Sequence, residues 1–194
     1  MLKQFGIIKS AVVAGAMCLM ALSGCVHDDS YVIEGTLYGG RNFEDQTIYL
    51  VPFAGASADN IDSAIVHDSH FRFSGIATKD DICIIRMRPM MRLFIEELII
   101  VREPGHIYTR LSQTSEAAGT PLNDSLQAWR NFKLHQDSLV KVLKKEVKRA
   151  TPERAAEIAT LQDSIRSVFY KQTQVSASYN SDNAFGEFLN RYVR

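Results

Sequence analysis

The chain has 194 residues, with 22 basic side chains balanced by 22 acidic ones, 46% apolar residues and 9% aromatic ones. That composition excludes a disordered chain. Zero formal charge without a dominant Lys or Arg cluster argues against nucleic acid as the partner.

Residues 1–25 open with Lys3 and Lys9, pass through Ile7, Ile8 and an apolar run over 11–22, and reach Leu22-Ser23-Gly24-Cys25. The apolar core is too short and too near the start for a stable span, and small residues precede the cysteine. The segment therefore reads as a bacterial lipoprotein signal. Cleavage would leave 1–24 as the signal peptide, Cys25 as a lipidated first residue carrying acyl chains such as palmitate, and 25–30 as a tether. Losing Lys3 and Lys9 takes the 22 basic residues to 20 against 22 acidic, so attachment would come from lipid and not from charge. The expected location is the cell envelope, anchored to the outer membrane at its periplasmic face or on the cell surface. Val26-His27-Asp28-Asp29 resembles a short signal for outer-leaflet display in some Gram-negative anaerobes.

Of the 3 cysteines, Cys18 leaves with the signal and Cys25 takes the lipid, so Cys83 is the only thiol of the body. An internal disulfide and Cys-x-x-Cys exchange are both excluded. Lying between Ile82 and Ile84-Ile85, Cys83 is expected to be buried and inert.

From 31 to 111 apolar residues recur with a period near two, giving strands over 31–38, 47–53, 63–67, 70–74, 82–88, 93–101 and 106–111. Breaks fall at Gly39-Gly40, at 55–60, at Asp68-Ser69, at Lys79-Asp80-Asp81, at Pro89 and at Pro104-Gly105. Short strands at this spacing predict an antiparallel β-domain over 31–112, a sandwich or a partly open barrel.

Beyond a linker over 112–120 the composition turns helical, and 113–194 is expected to form an αα-hairpin with a short terminal helix. Thr120-Pro121 and Thr151-Pro152 each read as an N-cap followed by a proline in the first turn. Leu122, Leu126, Trp129, Phe132, Leu139, Leu143 and Val147 make the first apolar stripe. Ile158, Leu161, Ile165, Val168, Gln172, Val175 and Tyr179 make a heptad seam with one polar member. Over 183–192, Phe185, Phe188, Leu189 and Tyr192 share a face behind Asp182 as the cap. The fold class is α+β.

Candidate chemistry is sparse. His67, Asp68 and His70 flank a tight turn, with a third ligand to be sought elsewhere, at His106, so a solvated turn is expected and no metal. Glu96-Glu97 and Asp80-Asp81 are adjacent pairs that a strand would point to opposite faces, and no nucleophile elbow, phosphate loop or zinc motif occurs. No catalytic or cofactor-binding residue is assigned, and no enzyme is expected. Arg86, Met87, Arg88, Met90, Met91 and Arg92 crowd around Pro89 and form the candidate partner-binding turn.

Tyr31-Val32-Ile33-Glu34-Gly35, Ile48-Tyr49-Leu50, Ile61-Asp62-Ser63-Ala64, Phe71-Arg72-Phe73-Ser74-Gly75, Glu103-Pro104-Gly105-His106-Ile107 and Gly119-Thr120-Pro121-Leu122-Asn123-Asp124 stand in a familiar order. Together they resemble the β-rich domain of unknown function that precedes the thioredoxin-like module of lipid-anchored thiol-disulfide oxidoreductases in Gram-negative gut anaerobes. Two departures matter. Ser69 stands where the family usually has a glycine after Asp68, and the sequence reaches Arg194 without the thioredoxin-like module and its Cys-x-x-Cys. The resemblance therefore lends no redox residue.

The expected function is that of a non-catalytic binding or assembly module, held at the membrane by its lipid and joined to a protein partner or to copies of itself. The alternatives are an accessory subunit working with a separate thioredoxin-like protein, and a small-ligand carrier built on the β-domain.

Overall fold

The computed structural model describes residues 29–39 and 42–192, the side chain of Met90 excepted. The signal segment, Cys18, Cys25, the stretch Val26-His27-Asp28 and Gly40 lie outside the described residues.

Period-two alternation builds strands β1 (Ser30–Leu37), β2 (Thr47–Pro52), β3 (Asp62–Ile65), β4 (His70–Ile76), β5 (Asp81–Met87), β6 (Leu98–Arg102), β7 (Gly105–Leu111) and β8 (Glu116–Ala118). They form two open four-stranded sheets, ordered β4-β1-β7-β8 and β3-β2-β5-β6. The arrangement is a sandwich and not a closed barrel. Pairing is antiparallel except between β1 and β7, which run parallel with Tyr31 opposite Gly105 and Leu37 opposite Leu111.

Two boundaries differ from the sequence reading. β6 begins at Leu98 because Pro89, with a fixed φ and no amide to donate, starts a 3-10 turn over Pro89–Leu93. β8 lies inside the stretch read as a linker, so the first sheet continues past residue 112 to Ala118.

Between the sheets Ile33, Leu37, Phe71, Phe73, Ile107 and Leu111 meet Ile48, Leu50, Cys83, Ile85, Leu98 and Ile100. Each such aliphatic or aromatic side chain contributes about 1.5–3 kcal/mol on burial. At the β3–β4 corner His67 and His70 exchange both backbone hydrogen bonds, of 2.9 and 2.7 Å. The two residues between them both take positive φ, 49° at Asp68 and 64° at Ser69. A tight hairpin of this twist wants glycine at its second position, and serine there carries a steric cost. Ser69→Gly is expected to raise stability by about 0.5–1 kcal/mol, read as an upward shift of the urea midpoint at constant slope.

The helices are α1 (Pro121–Glu146), α2 (Pro152–Tyr179) and α3 (Ala184–Tyr192). They cover the outer face of β5 and β6. Ile82, Ile99 and Val101 pack there against Leu126, Trp129, Phe169, Phe185, Phe188 and Leu189, forming a second core. The molecule thus has three layers: sheet, sheet and helices. Thr151 caps α2 as expected, accepting from the Arg154 amide at 3.3 Å. The cap of α3 is not Asp182. Asn183 accepts from the Gly186 amide at 3.1 Å, and Asp80, from the loop before β5, takes the Ala184 amide. Gly186 is required because a Cβ there would sit 1.8 Å from the Asn180 carbonyl oxygen.

Of the seven positions of the expected heptad seam of α2, only two face inward. Ile158 is buried and Ile165 half-buried, whereas Leu161, Val168, Gln172, Val175 and Tyr179 are exposed. Phe169, Thr173 and Ala177 take the inward positions instead. A helix turns 3.6 residues per turn, so a strict seven-residue row drifts, and contact with α1 and α3 follows i, i+4 steps from Phe169. On α1, Leu126 and Trp129 are buried, while Leu139 and, just past the helix end, Val147 remain exposed.

Candidate functional site

The turn around Pro89 is more of a core closure than a free surface. Met87 does not belong to a contact surface: it continues the inward row Cys83, Ile85, Met87 of β5 and is buried. That alternation was readable in the sequence. Met91 packs partly on the same core. Arg92 donates to the Met87 carbonyl oxygen at 3.2 Å and pairs with Glu97 at 2.9 Å. Arg88 stays exposed, Arg86 is half-buried, and among the described side chains of the turn the most exposed apolar one is Leu93.

The most connected polar cluster joins two motifs that the sequence keeps apart. Thr120 stands at the N-cap of α1, but its side chain accepts from none of the helix amides. Glu103 does so instead, its Oε1 accepting from the amides of Leu122 (2.9 Å) and Asn123 (3.1 Å). A carboxylate there also meets the positive end of the helix. Asn123, buried, donates through Nδ2 to the Val101 carbonyl (2.7 Å) and to Thr120 Oγ1 (2.9 Å), and its Oδ1 accepts from the Val101 amide (3.0 Å). β6 is an edge strand, so its outward amide and carbonyl need partners. The Asn123 side chain supplies both, as a neighbouring strand would. Gly119, at φ 107°, allows the approach, since a Cβ would lie 2.5 Å from the His106 carbonyl. This latch fixes the helices on the sheet. Its only sequence signal was an asparagine in a first helical turn, where side-chain bonding to backbone is the usual reason for it.

The remaining candidates pair off locally. His67 Nδ1 lies 3.1 Å from Glu44, His70 Nδ1 lies 2.7 Å from the Asp68 carbonyl, and His106 Nε2 lies 3.0 Å from Glu34. The three histidines thus have separate partners and do not converge. Glu96 reaches Arg130 and the Ser115 amide, while Glu97 pairs with Arg92. Burial lowers the pKa of Arg130, partly offset by Glu96 and Glu116.

A cleft of about 370 Å³ runs between the β4–β5 loop, β5 and α3. Phe53 and Phe188 meet edge to face across it at 5.6 Å, and Arg102 holds Asp81 with bonds of 2.8 and 2.9 Å. Beneath that pair lies Cys83. Burial, reinforced by the Asp81 carboxylate, pushes its thiol up to about 12. The thiolate is therefore scarce at any physiological pH, and alkylation of Cys83 by iodoacetamide at pH 8 is expected to run at the rate of protein opening. Denaturant should accelerate it to the rate of a free thiol.

On the side turned away from the docked core, α1 and α2 carry apolar side chains facing water. Relative exposure is 60% at Val142, 45% at Leu161, 52% at Val168, 41% at Val175 and 85% at Tyr179. The hairpin is long, with α2 alone extending about 42 Å. Among the described residues no helix is long and apolar enough to cross a membrane.

These features define a class: an open two-sheet β-domain latched through an edge strand to a helical hairpin. Residues 31–126, covering the β-domain from β1 to the opening of α1, match a family described as a domain of unknown function, DUF4369. No curated protein and no solved structure matches the chain.

Proposed function

We propose that the chain is a lipid-anchored protein of the cell envelope that acts as a non-catalytic binding or assembly module. The β-domain serves as the platform and the helical hairpin as the contact surface. The observation that carries this reading is the apolar surface of the hairpin, where Val142, Leu161, Val168 and Tyr179 meet solvent while Trp129, Phe185, Phe188 and Leu189 of the same helical layer are buried. Exposed apolar patches of this kind mark interaction surfaces. The anchoring half rests on Leu22-Ser23-Gly24-Cys25. On this reading the protein sits at the outer membrane, with Cys25 carrying the acyl chains.

The test is crosslinking in the intact envelope. A stoichiometric adduct that disappears in the Val142→Glu, Val168→Glu double variant supports the reading. An unchanged adduct, or a chain that binds no hydrophobic dye and forms no adduct, overturns it. Cys25→Ser is expected to abolish palmitate labelling and to release the protein from the membrane fraction. Retention of both would remove the anchoring half.

A further inference from the structure

The exposed side of α2 has an internal order. Leu161, Val168 and Val175 stand seven residues apart, and Glu157, Ser164 and Lys171 alternate with them, so the six make one row on the outer side of the helix. This row is self-complementary about Ser164. Reversed on itself with the two Ser164 positions aligned, it sets Glu157 level with Lys171, each seven residues from the centre, and brings Leu161, three residues from it, within one residue's rise of Val168, four residues from it.

We propose that this row pairs with the same row of a second copy of the chain, antiparallel, on a two-fold axis at Ser164. The proposal rests on the assembly-module reading. A two-fold contact is isologous, so each favourable pair occurs twice. Leu161 packs on Val168 of the second copy, and Glu157 meets Lys171 of the second copy at both ends. The parallel alternative would place Glu157 against Glu157 and Lys171 against Lys171, so charge selects the antiparallel arrangement. The small Ser164 side chain at the axis lets the two helices approach. Glu157 already holds Arg154 at 2.8 Å, while Lys171 has no carboxylate partner among the described residues. The pairing supplies one.

The experiment uses the full chain in its cell envelope, with Ser164→Cys or the control Ser167→Cys. Both positions are exposed, and they differ by three residues around the helix. The chain without either substitution sets the background from Cys83. Under mild oxidation Ser164→Cys is expected to give roughly tenfold more disulfide-linked dimer than Ser167→Cys, since bridging needs Cα atoms within about 7 Å. Adding Lys171→Glu should cut that yield roughly threefold, and adding Glu157→Lys as well should restore it, which a fold defect would not do. Equal yields at 164 and 167, or indifference to Lys171→Glu, overturn the self-pairing. If Ser164→Cys then links to a different protein, the assembly reading survives while the second copy is excluded. If it links to nothing and the chain binds no hydrophobic dye, both fail.

Discussion

Replacing Asn123 by alanine is expected to destabilise the chain by about 3 kcal/mol, among the largest effects of any single polar substitution in it. The side chain is buried and satisfies the amide and the carbonyl of Val101 at once, at 3.0 and 2.7 Å. Alanine would leave both backbone groups inside the protein without partners, and each orphan costs about 1–3 kcal/mol. Thr120 and Glu103 would each lose a donor as well. Asn123→Asp should cost more, because it brings a second carboxylate against Glu103. Glu103→Gln keeps an acceptor for the Leu122 amide but loses the charge at the helix end, and should cost about 1 kcal/mol. Urea unfolding followed by circular dichroism checks the series. A loss below about 1 kcal/mol for Asn123→Ala would mean that water replaces the latch.

Trp129→Ala is expected to cost about 3–5 kcal/mol and to loosen the helices before the sandwich. Trp129 stands edge to face with Phe188 at 5.8 Å and Tyr192 at 5.1 Å, leans on Phe169 at 6.1 Å, and donates to Thr173 Oγ1 at 3.1 Å. It therefore ties α1 to both α2 and α3. The core between the sheets shares no buried residue with this one, so it should persist when the helices undock. Native-state hydrogen exchange should show amides of α2 and α3 exchanging faster while Ile33, Ile85 and Ile107 stay protected. Uniform acceleration across all elements would instead mean that the layers unfold as one unit. The Trp129→Phe variant retains the packing and loses the hydrogen bond to Thr173, so it should cost about 1 kcal/mol. Trp129 is the 1 tryptophan of the sequence, which makes its fluorescence in the unsubstituted chain a direct report on docking.

Both variants act at junctions, and junctions are where sequence reading was weakest. Residues that alternate within one element were legible. Cys83, Ile85 and Met87 point into the same core because a strand alternates, and the helix starts at Thr120-Pro121 and Thr151-Pro152 follow from proline geometry. The α+β order, the β-rich first half and the terminal helix follow from such local periodicities, whereas the choice of a sandwich over a partly open barrel came from the structure. β8 escaped because three residues, two of them alanine, carry no readable period.

What the sequence by itself determined was thus the identity and order of nearly every element, since backbone geometry repeats over two or 3.6 residues and imprints that repeat on the side chains. Only the tertiary structure decided how the elements meet. It selected the parallel pairing of β1 with β7, Glu103 over Thr120 as the cap of α1, Asp80 as the holder of α3, and Phe169 and Thr173 over Val168 and Gln172 as the inward side of α2. Each of these choices turns on contacts between residues distant in the chain, whose free energy depends on approach and burial, and no local pattern records either.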